Sequence, residues 1–230
     1  MPTGRELKYL LQPLLAKRAD LAFVRRTLFI QPFTHYLRGA KFDILRFSTA
    51  SRATSFAHQL YNGQGVEDMH ASKAYRYRLP EGWEEDLDRS SFLLCDEMER
   101  NAIPAVEGIV DYIEHQRSSS YFGLPPGLNI SDAPHCTFTV ALGECSVGDF
   151  DSAEQRLSLM MTFLDQYPVA SATEEYRYSP YLFWRMAYLT RLLQTDQSRI
   201  LPLLHDWEAH AVNGMKLTKY WKPTPFPCET

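Results

Sequence analysis

The sequence lacks the patterns that would tie it to a metal framework, a membrane or the secretory pathway. Its four cysteines show no CxxC or other close spacing, which excludes the usual zinc and disulfide frameworks. They are Cys95, Cys136, Cys145 and Cys228. No apolar run reaches the roughly 18 residues of a membrane span, and no apolar stretch precedes the first charges as in a secretory signal. We therefore expect a cytoplasmic protein with reduced, mostly buried thiols.

Signatures of nucleotide binding and of hydrolysis are also absent. The 11 glycines are scattered and form neither GxGxxG nor GxxxxGK[ST], and neither GxSxG nor HExxH occurs. The missing motifs exclude the protein classes that carry them, but they do not exclude catalysis in general. His205 and His210 lie five residues apart on a predicted helix, so they do not share a face as two helical metal ligands would. We predict no cofactor and no metal site.

The first 80 residues indicate a short helix followed by a small antiparallel sheet. Leucines at helical spacing between residues 7 and 15 predict the helix, and Pro13 predicts a kink or restart within it. Aromatic and β-branched residues dominate 23–47, and two further strand candidates cover 55–61 and 75–79. Gly39 predicts a turn or bulge between two strands. Alternation of aromatic and arginine side chains at 75–79 is typical of a sheet with one buried and one basic, wet face.

From residue 81 onward the apolar periodicity becomes helical. Helices are expected after 87, from Pro104 to about 116, and over four later segments: 137–145, from Asp151 through Leu164, 181–193 and 200–212. The stretch 118–134 reads as a linker or functional loop, and the proline-rich 221–227 as an extended tail. The expected fold class is α+β, with the N-terminal helix and sheet packed against a mainly helical C-terminal half. The boundary falls near residue 80, giving subdomains 1–80 and 81–230 or one continuous domain.

One segment resembles a known repeat family. Gly148, Phe150 and Ala153 follow a probable helix at the spacing of a Gly–aromatic–Ala helix turn, and Leu157 and Met160 continue the pattern. Residues 137–165 are therefore similar to a single tetratricopeptide-like helical hairpin. No clean second copy is present, whereas such repeats normally stack in threes or more. The resemblance implies a tightly packed helical hairpin, and the family it points to is known for peptide binding.

Charge is divided unevenly along the chain. Residues 1–80 hold 13 basic and 5 acidic residues, a net charge of +8, whereas residues 81–175 hold 4 and 19, a net charge of −15. The remaining residues carry +3, so the overall value is −4. Such a division indicates either two parts of one fold that attract each other or a charged binding surface.

Two groups of charged side chains are candidate contact surfaces. The acidic group lies at a predicted helix–turn–helix, where helix capping also explains Asp151 and Glu154. It comprises Glu144, Asp149, Asp151 and Glu154. The basic group lies on the predicted strands and comprises Arg38, Arg46, Arg76 and Arg78. Arginine–aromatic alternation suits single-stranded nucleic acid, yet the neighbouring acidic block would repel it.

The favoured hypothesis is a non-enzymatic, protein-binding role through the acidic helical surface. Bacterial immunity proteins and adaptors are similar in character only, since no motif identifies either group. One alternative is a small enzyme that uses His35 or His58 with a nearby carboxylate or arginine in the N-terminal sheet. The other is nucleic-acid binding by the basic sheet.

Overall fold

The computed structural model describes residues 2–44, 51–62, 76–79, 82–109, 133–166 and 180–230. The chain is divided between two compact units, each built from several segments. Unit 1 comprises Met1–Leu60, Gln64–Val110 and Ala211–Pro223. Unit 2 comprises Tyr61–Gly63, Asp111–His210 and Thr224–Thr230. The division thus differs from a single boundary near residue 80.

Unit 1 contains a five-stranded antiparallel sheet whose strands are neighbours in chain order. The strands are β1 (Leu21–Val24), β2 (Thr27–Ile30), β3 (Tyr36–Ile44), β4 (Ser51–Gln59) and β5 (Arg76–Arg78). Its helices are α1 (Gly4–Leu10), α2 (Gln12–Lys17), α3 (Leu87–Glu97) and α4 (Pro104–Glu107), with a π-helical turn at Met98–Ala102. The α+β class, the antiparallel sheet and the break at Pro13 are confirmed.

Gly39 lies inside a continuous strand, so the predicted turn or bulge at this residue is wrong. All nine residues of β3 pair with β4, and Gly39 stands opposite Phe29 of β2. A Cβ atom at Gly39 would lie 2.0 Å from the carbonyl oxygen of Leu28 and 2.7 Å from the Cα of Phe29. Glycine is needed here because two strands approach closely and not because the chain turns.

Apolar side chains cover both faces of the sheet, because alternate residues of each strand point to opposite sides. On one face Phe42 belongs to a buried cluster with Leu10 of α1 and Leu94 of α3. On the other face Phe29 and Phe56 belong to a cluster that includes residues 211–217. The predicted basic, wet face is therefore absent from the central strands that the structure describes.

Unit 2 is helical throughout its described part. Its helices are α5 (Ala133–Ser146), α6 (Phe150–Gln166), α7 (Pro180–Thr195) and the first eleven residues of α8 (Ile200–Met215), whose end belongs to unit 1. Helix α5 packs on α6, and α6 packs on α7. The predicted helices at 137–145, 181–193 and 200–212 are confirmed.

The turn between α5 and α6 depends on Gly148. Its φ of +80° is a conformation that other residues rarely adopt, and an added Cβ would lie 3.1 Å from the Cβ of Cys228. Ala153 and Leu157 of α6 are fully buried in this hairpin. The hairpin has the expected form, and its relation to tetratricopeptide repeats stays a prediction.

Some predictions fall outside the described residues, namely the helix beyond Ile109 and nearly all of the 118–134 loop. The tail predicted as extended over 221–227 has no helical residue between Trp221 and Phe226, but Pro227 begins a short 3-10 helix that ends at Glu229. Trp221 forms a parallel bridge with Phe33. Within the described ranges, no helix combines the length and apolar composition needed to cross a membrane.

Candidate functional site

The four acidic residues at the α5–α6 turn do not form one accessible surface. Glu144 is fully buried, and its carboxylate accepts hydrogen bonds from Nη2 and Nε of Arg156 at 2.6 and 3.0 Å. Asp149 caps α6 by accepting from the backbone N–H of Ser152 at 3.3 Å. Asp151 is exposed and Glu154 is half-buried. The accessible acidic group is thus reduced to Asp149, Asp151 and Glu154.

Of the four arginines assigned to a basic face, the structure describes the side chains of Arg38 and Arg78. Arg38 donates from Nη1 to the carbonyl oxygens of Glu107 and Ile109 at 2.9 and 3.1 Å, and burial lowers its pKa. Arg78 is exposed next to the half-buried Tyr77, as the alternating pattern predicts. Arg76 is described only through its backbone in β5, and Arg46 lies outside the described residues. Arg38 therefore serves to fix the end of α4 to β3.

The histidines have different surroundings. His35 and His58 are both buried, at 8% and 5% exposure, so they do not lie scattered over a convex surface. The Nε2 of His205 lies 2.8 Å from a carboxylate oxygen of Glu229, and its ring packs on Phe226. Among the described residues, no group of three or more His, Cys, Asp or Glu side chains is arranged to hold a metal ion.

Ion pairs within unit 1 neutralise some of the basic residues of segment 1–80 with acidic residues of segment 81–175. Lys17 pairs with Glu99 at 2.6 Å, and Arg18 pairs with Glu107 at 2.9 Å. Arg18 also contacts Asp20 at 2.6 Å, and its guanidinium lowers the pKa of that carboxyl. These contacts join the basic N-terminal segment to the acidic segment that follows the sheet, which is the internal-pairing interpretation of the charge pattern.

Helix α7 carries three stacked aromatic side chains, which we call the aromatic row. Tyr181, Trp184 and Tyr188 follow one another at i, i+3 and i+7 and therefore share one face. The rings of Tyr181 and Trp184 are 6.3 Å apart at 17°, and those of Trp184 and Tyr188 are 5.4 Å apart at 3°. Tyr181 and Trp184 remain 51% and 58% exposed, so the row is a large apolar surface open to solvent.

Two arginines lie near the C-terminal end of the aromatic row. Arg191 follows Tyr188 by three residues on α7 and is exposed. The Nη2 of Arg199 lies 3.5 Å from the hydroxyl of Tyr188. Neither arginine has a carboxylate within 4.0 Å among the residues that the structure describes. The row therefore joins exposed aromatic surface to positive charge.

Arg185 follows Trp184 on α7 and, unlike it, is buried among aromatic rings. It is 1% exposed, and its guanidinium carbon lies 3.7 Å from the ring centroid of Trp207. The rings of Phe138 and Tyr181 follow at 5.0 and 5.5 Å. Nη1 donates to the carbonyl oxygen of Asn62, and Nη2 to that of Tyr61 at 3.3 Å. Nε has no acceptor among the described residues.

The charge of Arg185 is costly in this position. Burial lowers its pKa to about 10, and a decrease of this size corresponds to about 3 kcal/mol of disfavoured charge. The cost applies in full at neutral pH, because the side chain is then charged in both the folded and the unfolded chain. The contact with Trp207 offsets part of it, since a desolvated cation–π contact contributes about 2 kcal/mol. Within the described residues, no carboxylate pairs with Arg185 to offset the remaining cost of burying its charge.

Sequence reasoning missed both the aromatic row and Arg185. Tyr181, Trp184 and Tyr188 can be recognised as one helix face from their spacing alone, but apolar residues at this spacing usually mark a core face. Arg185 gives no sequence signal, because one arginine in an apolar helix is usually solvent-facing. No family model, curated protein or solved structure matches the chain, so comparison with known proteins adds no assignment.

Proposed function

We propose that this chain is a non-enzymatic, protein-binding protein of adaptor or immunity type and that the aromatic row is its contact surface. The observation that carries the proposal is the exposure of two of three stacked rings on a single helix. Buried leucines and Met186 already provide α7 with a separate core face. The aromatic row is thus additional to the packing that the fold needs.

The composition of this surface is typical of the energetic centre of protein interfaces. Tryptophan, tyrosine and arginine are the residues most enriched among interface hot spots. Stacking fixes the three rings in one arrangement, so little side-chain entropy remains to be lost when a partner binds. Exposed apolar patches of this kind on soluble proteins commonly mark interaction sites.

The charge around the aromatic row favours one kind of partner. Arg191 and Arg199 are cations at its C-terminal end and have no carboxylate partner among the described residues. A complementary partner therefore has an apolar patch bordered by acidic side chains. The acidic surface formed by Asp149, Asp151 and Glu154 would instead require a basic partner, and it remains a separate prediction.

The aromatic row suits a protein better than a nucleic acid. Proteins that bind single strands present free ring faces on which bases stack. Here both faces of Trp184 are directed toward neighbouring rings of the same helix. The enzymatic alternative keeps His35 and His58, which are both buried, as its candidates.

The test compares surface variants of the full chain. The tagged protein captures a partner from nuclease-treated lysate, and the purified partner is then titrated calorimetrically against each variant. We expect Trp184→Ala to weaken binding by roughly 30-fold, the effect of losing a hot-spot side chain worth about 2 kcal/mol. Phe92→Ala is the matched control, because Phe92 is 68% exposed in unit 1 and belongs to no aromatic stack in the described part of the chain.

A third variant separates the two proposed surfaces. The double substitution Asp151→Asn and Glu154→Gln removes charge from the α5–α6 turn without touching α7. If it abolishes binding while Trp184→Ala has no effect, the acidic surface is the contact site and the aromatic row is not. Unchanged affinity in all three variants would contradict both surfaces.

A further inference from the structure

The buried end of Arg185 has hydrogen-bonding capacity that the described residues do not use. A guanidinium carries five N–H donors. Two of them meet the backbone carbonyl oxygens of Tyr61 and Asn62, and the Nε–H meets no acceptor in the described part of the chain. The aromatic side chains around it supply no negative charge. The position thus combines a buried positive charge with an unused donor.

The side chain of Asn62 provides an unused acceptor in the same neighbourhood. Its Nδ2 donates to Oγ1 of Thr139 at 3.1 Å, and that hydroxyl in turn donates to the carbonyl oxygen of His135 at 2.8 Å. Because the hydroxyl proton is already committed, Thr139 must accept from Asn62, which fixes the orientation of the amide. Oδ1 of Asn62 is therefore the buried atom without a donor among the described residues.

We propose that Arg185 and Asn62 form a binding site for a small oxyanion that also carries a hydroxyl or amino group, either on the same central atom or on the neighbouring one. The oxyanion accepts from Nε–H and from a free Nη–H of Arg185, a bidentate geometry that guanidinium groups favour with carboxylate and phosphate. The adjacent O–H or N–H donates to Oδ1 of Asn62. Trp207 holds the guanidinium plane by stacking on it.

The chemistry of the site distinguishes this ligand from simpler occupants. A single buried water molecule would satisfy Nε–H and Oδ1 but would leave the positive charge without a counter-charge. Chloride would supply charge but no donor for Asn62. Monohydrogen phosphate and an α-hydroxy acid such as glycolate supply both, whereas acetate supplies only the oxyanion. The site shares Tyr181 with the aromatic row, but the proposal does not depend on protein binding there.

Thermal unfolding of the full chain tests the proposal. The probes are inorganic phosphate, glycolate and acetate, each titrated against sodium chloride at equal ionic strength. We expect phosphate or glycolate to raise the Tm saturably, by roughly 5 °C at a hundredfold excess over its Kd. Acetate should raise the Tm less than glycolate. A phosphate response without a glycolate response assigns the site to phosphate-bearing ligands, and the reverse assigns it to carboxylates.

Three variants show whether the response arises at Arg185. Arg185→Met should abolish it, and Arg89→Met, at an exposed arginine of α3 in unit 1, should retain it. Asn62→Asp adds a negative charge at the residue whose backbone carbonyl oxygen accepts from Nη1 of Arg185, so it should raise the Tm without ligand and remove the phosphate response even if Arg185→Met fails to fold. A wild-type response equal to that of chloride, or an equal response in Asn62→Asp, would overturn the proposal.

Discussion

Substitution of Gly39 by alanine is expected to destabilise the protein by at least about 3 kcal/mol, the range associated with severe packing and backbone conflicts. The added methyl group would lie 2.0 Å from the carbonyl oxygen of Leu28 and 2.7 Å from the Cα of Phe29. Both atoms belong to the backbone of β2, so no side-chain rotation relieves the clash. β2 and β3 must separate, and urea unfolding monitored by circular dichroism measures the loss.

Gly214 provides the matched control for this substitution. It lies in α8, and an added Cβ would meet no atom within 4 Å. Gly214→Ala should therefore stabilise the protein by about 0.5–1 kcal/mol, because alanine has the higher helix propensity. Similar unfolding midpoints for Gly39→Ala and the wild type would show that β2 and β3 do not approach as closely as described.

Removal of Arg156 is expected to have the second large effect. Its guanidinium forms two hydrogen bonds with the carboxylate of Glu144, whose side chain is 1% exposed. Arg156→Ala takes away a cation that pairs with this buried charge, and such losses cost about 3 kcal/mol or more. Chemical unfolding at neutral pH gives the difference in the free energy of unfolding.

An exposed ion pair gives the comparison that this prediction needs. Arg100 and Asp96 lie 2.7 Å apart on the surface, with 74% and 36% of their side chains exposed. Arg100→Ala should cost no more than about 0.5 kcal/mol, because exposed pairs are screened by solvent. Glu144→Gln in the Arg156→Ala background should recover part of the loss by removing the buried charge. Equal effects of the two arginine substitutions would mean that burial of Glu144 has no energetic role.

The spacing of residues in the sequence predicted the positions of the helices and strands well. It predicted poorly which residues pack against them. The leucine spacing before Pro13 and the aromatic, β-branched run after Phe23 identified the first helices and the sheet, because those patterns reflect local geometry. Gly39 was misread, because a glycine that admits a neighbouring strand looks the same in sequence as one that forms a turn. The two covered sheet faces were also missed, since residues 211–217 return to the sheet from far along the chain.

The surroundings of the candidate site residues were harder to predict than the fold, because they depend on contacts with residues distant in sequence. Glu144 appeared to be a surface acid because its partner, Arg156, lies twelve residues away on the next helix. Arg38 appeared to be free because the carbonyl groups it binds follow about 70 residues later. The aromatic row alone was readable as a helix face. Its exposure could be learned only from the packing of the remaining side chains of α7.

The return of residues 211–223 to unit 1 constrains the order in which the protein can be completed during synthesis. The β-sheet is translated within the first 80 residues, yet Val212 and Met215 in the cluster on one of its faces emerge from the ribosome more than 130 residues later. Until then Phe29 and Phe56 lack part of their cover, and the nascent chain exposes an aromatic sheet surface. Such a surface is a natural substrate for chaperones that hold growing chains.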